Sequence, residues 1–410
     1  MYYENGLFPN TLSKKECTGE EWLISSGFIK TISPGIIATL PMGVRVLKNI
    51  ENIFREICER ENFWEITLPA LQEEKLWVKS GRINLYERNM CKTILSNKTY
   101  ILNPTLEEAM LDIIGKTTFK KIDFPLSFFQ ISERFRDEYT PKDLLVRSKS
   151  FILADAYIFT TSQDSLMKGV AKLRKIIRKF CKRINTPIKK ATHINDSSDI
   201  GIESYFVFAE DHKQFNVYKS RKNGLYYRFK SKNINRHIED FESLGAIEIG
   251  DITIQKQAIS SNMGITIPGE KNFVYMATLG IGISRLLQII ASKNFDNNGI
   301  IWPKNIAPFA VTIICNKERV DEANALSQKL SKLKMCNLVD KRNISIARKL
   351  IDFEMTGIPV SIILGNKTDE GQYEIKFRTS KNNIFCNNKN VAKFVNKPPK
   401  GLFFYENSVK

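Results

Sequence analysis

The stretch Ser127–Phe159, SFFQISERFRDEYTPKDLLVRSKSFILADAYIF, carries the reading that decides the fold. Apolar residues alternate on both sides of Thr140-Pro141-Lys142-Asp143, a breaker of the kind that closes a hairpin or a longer loop. The stretch therefore reads as strand, polar turn, strand. A period of two sets Arg134, Arg136 and Glu138 on one face of the first strand and Ile131, Glu133 and Phe135 on the other. The same rule aligns Arg147, Lys149, Phe151, Asp155 and Tyr157 on the second. Burying unpaired charge is costly, so a face with this many cations and carboxylates is no ordinary core face. It predicts something anionic and flat seated on the sheet.

Downstream, Met276–Ile290 reads MATLGIGISRLLQII, two glycines that permit close backbone approach, followed by Ser284-Arg285 opening a helix. The third glycine of a dinucleotide fingerprint is replaced by Arg285, and no Walker A loop occurs. Alone the pattern is weak; with the arginine-studded hairpin it predicts a nucleotide held from two sides. Upstream, Val44, Leu47, Ile50, Phe54 and Ile57 recur at helical spacing, with Arg45, Lys48, Glu51 and Arg55 on the opposite face. This helix is entered through Pro41-Met42-Gly43, and a short strand at Trp64–Pro69 follows it. Tyr100–Glu108 reads as a strand running into a helix, where Thr105 and Glu108 have the spacing of a capping box. The alternative at this point is that Glu107 faces a pocket and receives an ammonium or imino group. Residues 164–184 form a basic amphipathic helix, and strands are expected at Tyr205–Ala209 and Gly245–Ile254.

Ile300–Pro308 reads as a linker. Beyond it strand and helix alternate: strands at Ala310–Cys315, Cys336–Asp340, Val360–Leu364 and Tyr373–Phe377, helices at Val320–Leu333 and Ile344–Met355. This grammar predicts a small α/β domain with a mostly parallel core. From Ile306 onward 18 Lys and Arg stand against 10 Asp and Glu, within a chain of 410 residues carrying +18 overall. Such a surface attracts polyanions, nucleic acid foremost. The seven cysteines, Cys17, Cys58, Cys91, Cys181, Cys315, Cys336 and Cys386, form no CxxC and no framework spacing, which suggests reduced thiols. His193, His212 and His237 lie too far apart in sequence to suggest a zinc site. The N-terminus lacks the order of a secretory signal, and no apolar run approaches a membrane span. The expectation is a soluble, cytoplasmic protein with no membrane partner.

Taken together, these stretches resemble the prolyl-tRNA synthetases of the bacterial type, class II aminoacyl-tRNA synthetases, in a short form without the editing insertion. Residues 34–71 are similar to the first class II motif, which in the family forms the homodimer interface. Leu76-Trp77 with Ser80-Gly81-Arg82 resembles the family's LWxxSGR, Phe135-Arg136-Asp137-Glu138 within 127–159 its second motif, and 276–291 its third. The resemblance implies an α+β catalytic domain on an antiparallel sheet over 1–304, then a small α/β anticodon-binding domain over 305–410. It implies ATP and Mg2+, proline and tRNA as partners, and a homodimer. Arg136 is then expected at the α-phosphate of ATP and Glu138 at the adenine amino group. Arg147 is expected near the terminal phosphates, with Phe151 and Arg285 on the two faces of adenine; Arg136 and Arg285 carry catalysis. Thr105 and Glu107 match the TxE element that holds the substrate's amino group. Arg342, Glu374 and Lys376 are expected to read anticodon bases.

The chain departs from the family where that pocket is built. Thr278 replaces a cysteine, Asp251 a histidine, Leu106 the histidine of PTHEE and Ala154 the lysine of KDAYSF. RGREF reads Arg147-Ser148-Lys149-Ser150-Phe151, and SHEF has no clear counterpart around Ser204–Phe208. Asp251 and Thr278, with Thr105 and Glu107, are the expected amino-acid contacts. Three functions remain open on sequence: a working prolyl-tRNA synthetase, a paralogue that activates another amino acid, and a non-catalytic RNA-binding or regulatory protein on the same scaffold.

Overall fold

The computed structural model describes residues 2–3, 18–141, 143–194, 200–209, 213–229 and 238–396. Lys142, Cys17, His212 and His237 lie outside them. The chain divides into two compact units, Thr31–Ile37 with Ile50–Leu286, and Met1–Lys30 with Ala38–Asn49 and Leu287–Lys410. The second unit thus gathers two N-terminal segments and residues 287–304 with the C-terminal domain, across the boundary set at 304 from sequence.

The first unit is built on nine described strands: β1 (Trp64–Glu65), β2 (Leu126–Phe135), β3 (Ser150–Thr160), β4 (Lys189–Ile194), β5 (Gly201–Phe208), β6 (Phe215–Ser220), β7 (Tyr226–Phe229), β8 (Phe241–Lys256) and β9 (Tyr275–Gly282). They lie in the order β5-β4-β7-β6-β8-β9-β3-β2-β1, with β5 also paired to β8. All these pairings are antiparallel except β1 with β2 and β4 with β7. β2 and β3 pair without a slip from Leu126 opposite Phe159 to Phe135 opposite Ser150.

The strands of this hairpin end sooner than the alternation suggests. Arg136, Glu138, Arg147 and Lys149 belong to the connecting loop, not to the strands. The Arg136 N–H still reaches the Lys149 carbonyl at 2.8 Å. The next N–H, that of Asp137, turns away to the Asn89 carbonyl at 3.0 Å, and the Lys149 N–H bonds Gly35 at 2.8 Å. The ladder loses its partners to neighbouring segments, and the strands end there.

Helix α1 (Pro41–Arg60) opens with a proline where a missing N–H costs nothing. Ile50, Ile53, Phe54 and Ile57 are buried along it. The stripe read from sequence is corrected at two places: Val44, in the first turn, is 41% exposed, and Glu51 is 2% exposed. Glu51 sits 3.6 Å from Arg55, so its burial is partly compensated by a cation one turn on. Phe54 packs edge-on against Phe129 of β2 and against Phe180 of α4 (Gln163–Arg183). α4 is capped by Ser162, whose hydroxyl accepts from the Ser165 N–H at 3.3 Å, and it lies over β3, β8 and β9. Two of its lysines, Lys175 and Lys179, converge on Glu61 at 2.9 and 2.8 Å. A second core gathers Met110 and Leu111 of α3 (Glu107–Lys116) with Tyr157, Phe159, Met263 and Met276.

In the second unit, β10 (Val311–Cys315) pairs in parallel with β11 (Asn337–Asp340) and β12 (Val360–Leu364). Residues Tyr2–Tyr3 extend the sheet in parallel beyond β11. The mostly parallel expectation holds for that half only, because β13 (Gln372–Phe377) and β14 (Ile384–Asn387) add antiparallel strands. The sequence reading placed no strand at β14. Two helices of this unit, α6 (Val320–Lys332) and α7 (Ile346–Thr356), lie within two residues of their expected limits.

The proposed linker at 300–308 is also corrected. Trp302 is 4% exposed and Ile306 fully buried, and the Trp302 Nε1–H donates to the Thr356 carbonyl at 3.1 Å. Its prolines shape a packed crossing rather than a free tether.

Gly43, inside α1, has room for nothing more: a Cβ there would stand 2.3 Å from the Phe28 carbonyl oxygen. Gly43→Ala, ordinarily favourable in a helix, is expected to lower stability by about 1–3 kcal/mol through overpacking, read as a drop in the urea midpoint. No described helix is long and apolar enough to cross a membrane.

Candidate active site

The charged sheet face predicted from sequence is partly self-neutralising. Arg134 on β2 is fully buried and is ion-paired to Asp155 on β3, while its NH1 donates to the Glu133 carbonyl at 3.1 Å. Burial pushes the Asp155 carboxyl upward, and the Arg134 guanidinium opposes that push. This cation is a structural counter-charge.

The loop arginines behave differently. With β3, β8 and β9 they frame a cleft that brings together Arg136, Glu138, Arg147, Phe151, Asp251 and Arg285. Arg136 lies with its guanidinium carbon 5.0 Å above the Phe151 ring, and its NH2 donates to the Pro104 carbonyl at 3.4 Å. Its Nε is buried without a hydrogen-bond partner. Arg147 reaches across the loop to Glu138 at 2.5 Å. Arg285, at the start of α5 (Ile283–Lys293), is fixed from both sides: Nε donates to the Val146 carbonyl at 3.1 Å and NH1 to the Glu248 carbonyl at 2.8 Å. Ser284 beside it accepts from the Ile152 N–H at 2.9 Å, which ties this helix start to β3. Phe151 and Arg285, expected on the two faces of a flat ligand, both line this cleft, and the guanidinium of Arg136 stands over Phe151.

At Thr105–Glu108 the capping box does not form. Leu106 is the residue before α3 and makes no side-chain cap. The Thr105 hydroxyl instead donates to the Glu107 carboxylate. Arg82, which the sequence reading placed only within a motif, organises this corner. Its NH1 stands 3.0 Å from Glu108 and 3.6 Å from Glu107, and its NH2 donates to the Tyr86 hydroxyl at 2.9 Å. The guanidinium also faces the Trp77 and Tyr86 rings. Burial would push Glu107 up, but Arg82 and the Thr105 hydroxyl outweigh it and hold this carboxyl below its usual range. Glu108, more deeply buried beside that charge, is pushed up to about 7 despite Arg82.

One row runs straight across the sheet: Asp251 on β8 opposite Gly280 on β9, Gly280 opposite Asp155 on β3, Asp155 opposite Gln130 on β2. Thr253 and Thr278 form the next outward-facing pair on β8 and β9. The Thr253 hydroxyl donates to Asp251 at 2.9 Å. Burial first, then the charge of Glu248, pushes Asp251 up to about 7. Around this end several buried polar atoms stand unpartnered: both side-chain polar atoms of Asn103, Oε1 of Gln130 and Nε of Arg134. Leaving such atoms without partners is expensive.

Arg228 and Glu248, which sequence did not single out, line the cleft wall and open a chain of polar contacts behind it. Glu248 accepts from Arg228 at 2.9 Å and from the Ser204 hydroxyl at 2.7 Å. Ser204 in turn stands 2.6 Å from His193 Nε2. Burial and the Arg228 charge lower His193 to about 4, so it is the neutral partner in this chain. The residues are scattered over four strands, which is why no local pattern announced them.

The residues expected to read RNA sit on the second unit with partners of their own. Arg342, after β11, pairs with Asp340 at 2.6 Å and with Asp352 at 2.7 Å. Glu374 and Lys376 share one face of β13; Glu374 accepts from Asn383 at 2.5 Å and Lys376 pairs with Glu354 at 3.0 Å.

Residues 91–294 match the class II tRNA synthetase core domain (G, H, P, S and T), and residues 310–397 match the anticodon binding domain. The chain is similar to a proline--tRNA ligase of Ehrlichia ruminantium (strain Gardel), with 30% identity over 403 residues, covering 90% of this chain and 92% of that one. A proline--tRNA ligase of Rickettsia canadensis (strain McKiel) is 27% identical over 415 residues, with 91% of each covered. Among solved structures, the Giardia lamblia prolyl-tRNA synthetase in complex with prolyl-adenylate superimposes with a TM-score of 0.74 at 18% identity, covering 92% of this chain and 77% of that chain. The Cryptosporidium parvum prolyl-tRNA synthetase complexed with halofuginone and AMPPNP gives 0.73 at 15% identity, covering 92% and 74%. At these identities the structural likeness speaks to the fold.

Proposed function

The chain belongs to the family of proline--tRNA ligases, and we propose from that premise that it activates proline with ATP and transfers it to the 3′ end of tRNA. The observation that carries this reading is the polarity of the cleft. Arg136, Arg147 and Arg285 line it together with Asp251, and the Asp251 carboxylate feels those of Glu107 and Asp155 behind it. A zwitterion entering this field is turned so that its carboxylate meets the cationic end, beside bound phosphates, and its amine the anionic end.

Arginine forks suit phosphate oxygens, and a guanidinium lies flat on an aromatic base. We assign Arg136 to the α-phosphate, Arg147 to the terminal phosphates, and Glu138 and Phe151 to adenine, with Arg285 closing the other side. The substrate carboxylate then attacks the α-phosphorus in line, and pyrophosphate leaves. Arg136 and Arg285 stabilise the charge that gathers on the phosphate oxygens. No covalent intermediate with the protein is needed. The tRNA 3′-terminal hydroxyl afterwards attacks the adenylate carbonyl, and AMP leaves.

No group of three or more His, Cys, Asp or Glu among the described residues is arranged to hold a metal. Mg2+ is compatible with that, because it is commonly held by substrate phosphates, water and one or two carboxylates, here Glu248 of the cleft wall. Bound there, it would neutralise phosphate charge.

The domain from 305 onward is assigned to the anticodon, with Arg342, Glu374 and Lys376 as reading residues. The homodimer expected from residues 34–71 belongs to the same proposal. So does a cytoplasmic location, which suits six described cysteines that are all free. The test is ATP–pyrophosphate exchange measured across the amino acids, followed by charging of tRNA. Exchange with proline is the expected result. Exchange with a different amino acid alone would replace the substrate, and none with any would overturn the catalytic reading.

A further inference from the structure

Three carboxylates converge on the amino-acid end of the cleft, and two already have their cations. Glu107 is compensated by Arg82 at 3.6 Å and by the Thr105 hydroxyl, and Asp155 by its ion pair with Arg134. Asp251 has only the Thr253 hydroxyl, on Oδ2 at 2.9 Å. No cation stands within ion-pair distance of it among the described residues. Arg285, whose charge feels Asp251, is committed to two backbone carbonyls.

The remaining oxygen points at an open seat. Gly280 lies between Asp251 and Asp155 in the strand register, and the position one carbon above it is 3.7 Å from Asp251 Oδ1 and 3.4 Å from Asp155 Oδ1. Any side chain at 280 would fill that space. A buried carboxylate without a counter-charge is completed by a cation or a proton.

We propose that Asp251, over Gly280 and beside the ion-paired Asp155, receives the cationic imino nitrogen of the substrate, so that in this chain the amine contact has moved from Glu107 to Asp251. The proposal rests on the proline-activating reading and names the group that binds the amine within that site. Glu107 then serves as a wall, its charge spent on Arg82. An aspartate on β8 and a glycine on β9 work as one feature: the glycine makes the seat and the uncompensated carboxylate makes it selective for positive charge.

The test pairs two ligands with two variants. Proline and tetrahydrofuran-2-carboxylate differ in the ring heteroatom, NH2+ against oxygen, and the latter is read as a competitive inhibitor of proline-dependent pyrophosphate exchange. Asp251→Asn keeps size and the hydrogen-bonding shape. It is expected to weaken proline by about 10–100-fold in kcat/KM, the range of a hydrogen bond to a charged group, and to leave the inhibition constant of the oxygen analogue nearly unchanged. Glu107→Gln is expected to shift both ligands together. Parallel loss of both ligands in Asp251→Asn would make the residue structural and overturn the proposal, as would loss of discrimination in Glu107→Gln alone. Absence of proline-dependent exchange in the unsubstituted protein is a separate outcome: it defeats the underlying functional reading, and direct binding of the two ligands to the unsubstituted protein then decides the seat, equal affinity overturning it.

Discussion

Arg136→Ala is expected to lower ATP–pyrophosphate exchange by about 10²–10³-fold with little change in stability, the cost of removing one preorganised donor from a site where charge develops. The separation of activity from stability follows from how the side chain is held. Its one hydrogen bond, to the Pro104 carbonyl, is long at 3.4 Å, and it rests on Phe151 rather than inside a network. Its Nε has no partner at all. A guanidinium in that state contributes little to folding and is completed by a ligand. Arg285→Ala makes the contrasting case. It would empty two bonds to the Val146 and Glu248 carbonyls, so activity and thermal midpoint should fall together. Arg136→Lys keeps the charge but loses the planar fork, and should recover only a small part of the rate. Exchange assays beside thermal melts distinguish these outcomes. An Arg136→Ala protein within a few-fold of full activity would remove Arg136 from the phosphate end.

The hairpin shows what a linear sequence conveys and what it cannot. Alternation located β2 and β3, and the excess of charge on their shared face pointed to a ligand, because both are properties of neighbouring residues. The point where the strands stop was set by the Asn89 and Gly35 carbonyls, distant segments that take the next hydrogen bonds. Arg134 could not be told from Arg136 by spacing, since both share a period. Only the folded packing, in which the Arg134 side chain reaches Asp155, makes one a buried counter-charge and leaves the other in the cleft. The same limit governs α1, where helical periodicity was right but Val44 and Glu51 exchanged roles in burial. Thr105 and Glu108 have capping-box spacing, yet Arg82 and Ser80 claim the glutamate and Glu107 claims the hydroxyl. Local rules were overridden wherever a charge from another segment offered more.

That corner carries the largest expected loss of stability. Arg82→Met is expected to destabilise the protein by about 3–5 kcal/mol near pH 8, the cost of leaving buried carboxylates without their cation. Arg82 has three claims on it, from Glu107, Glu108 and the Tyr86 hydroxyl, and methionine replaces only its packing against Trp77 and Tyr86. The pH dependence has a definite sign. Glu107, held below its unfolded value, contributes stability that is present above the usual carboxylate range and is lost as pH falls through its folded value. Glu108, raised to about 7, does the opposite and costs stability as pH climbs toward 7. Removing Arg82 raises both, so Glu107 loses its favourable contribution and Glu108 costs more. The deficit of the variant must therefore grow from acid to neutral pH and shrink toward acid, vanishing only below the range in which Arg82 holds Glu107, where both acids are protonated in the folded and unfolded chains alike. Urea titrations at the two ends measure this directly. Adding Glu108→Gln to Arg82→Met should recover part of the loss at pH 8, because one of the two stranded charges is gone; that recovery is the coupling a double-mutant cycle isolates. A deficit that stays constant from pH 4 to 8 would mean that Arg82 acts through its ring contacts alone, and that the two glutamates are held by something other than its charge.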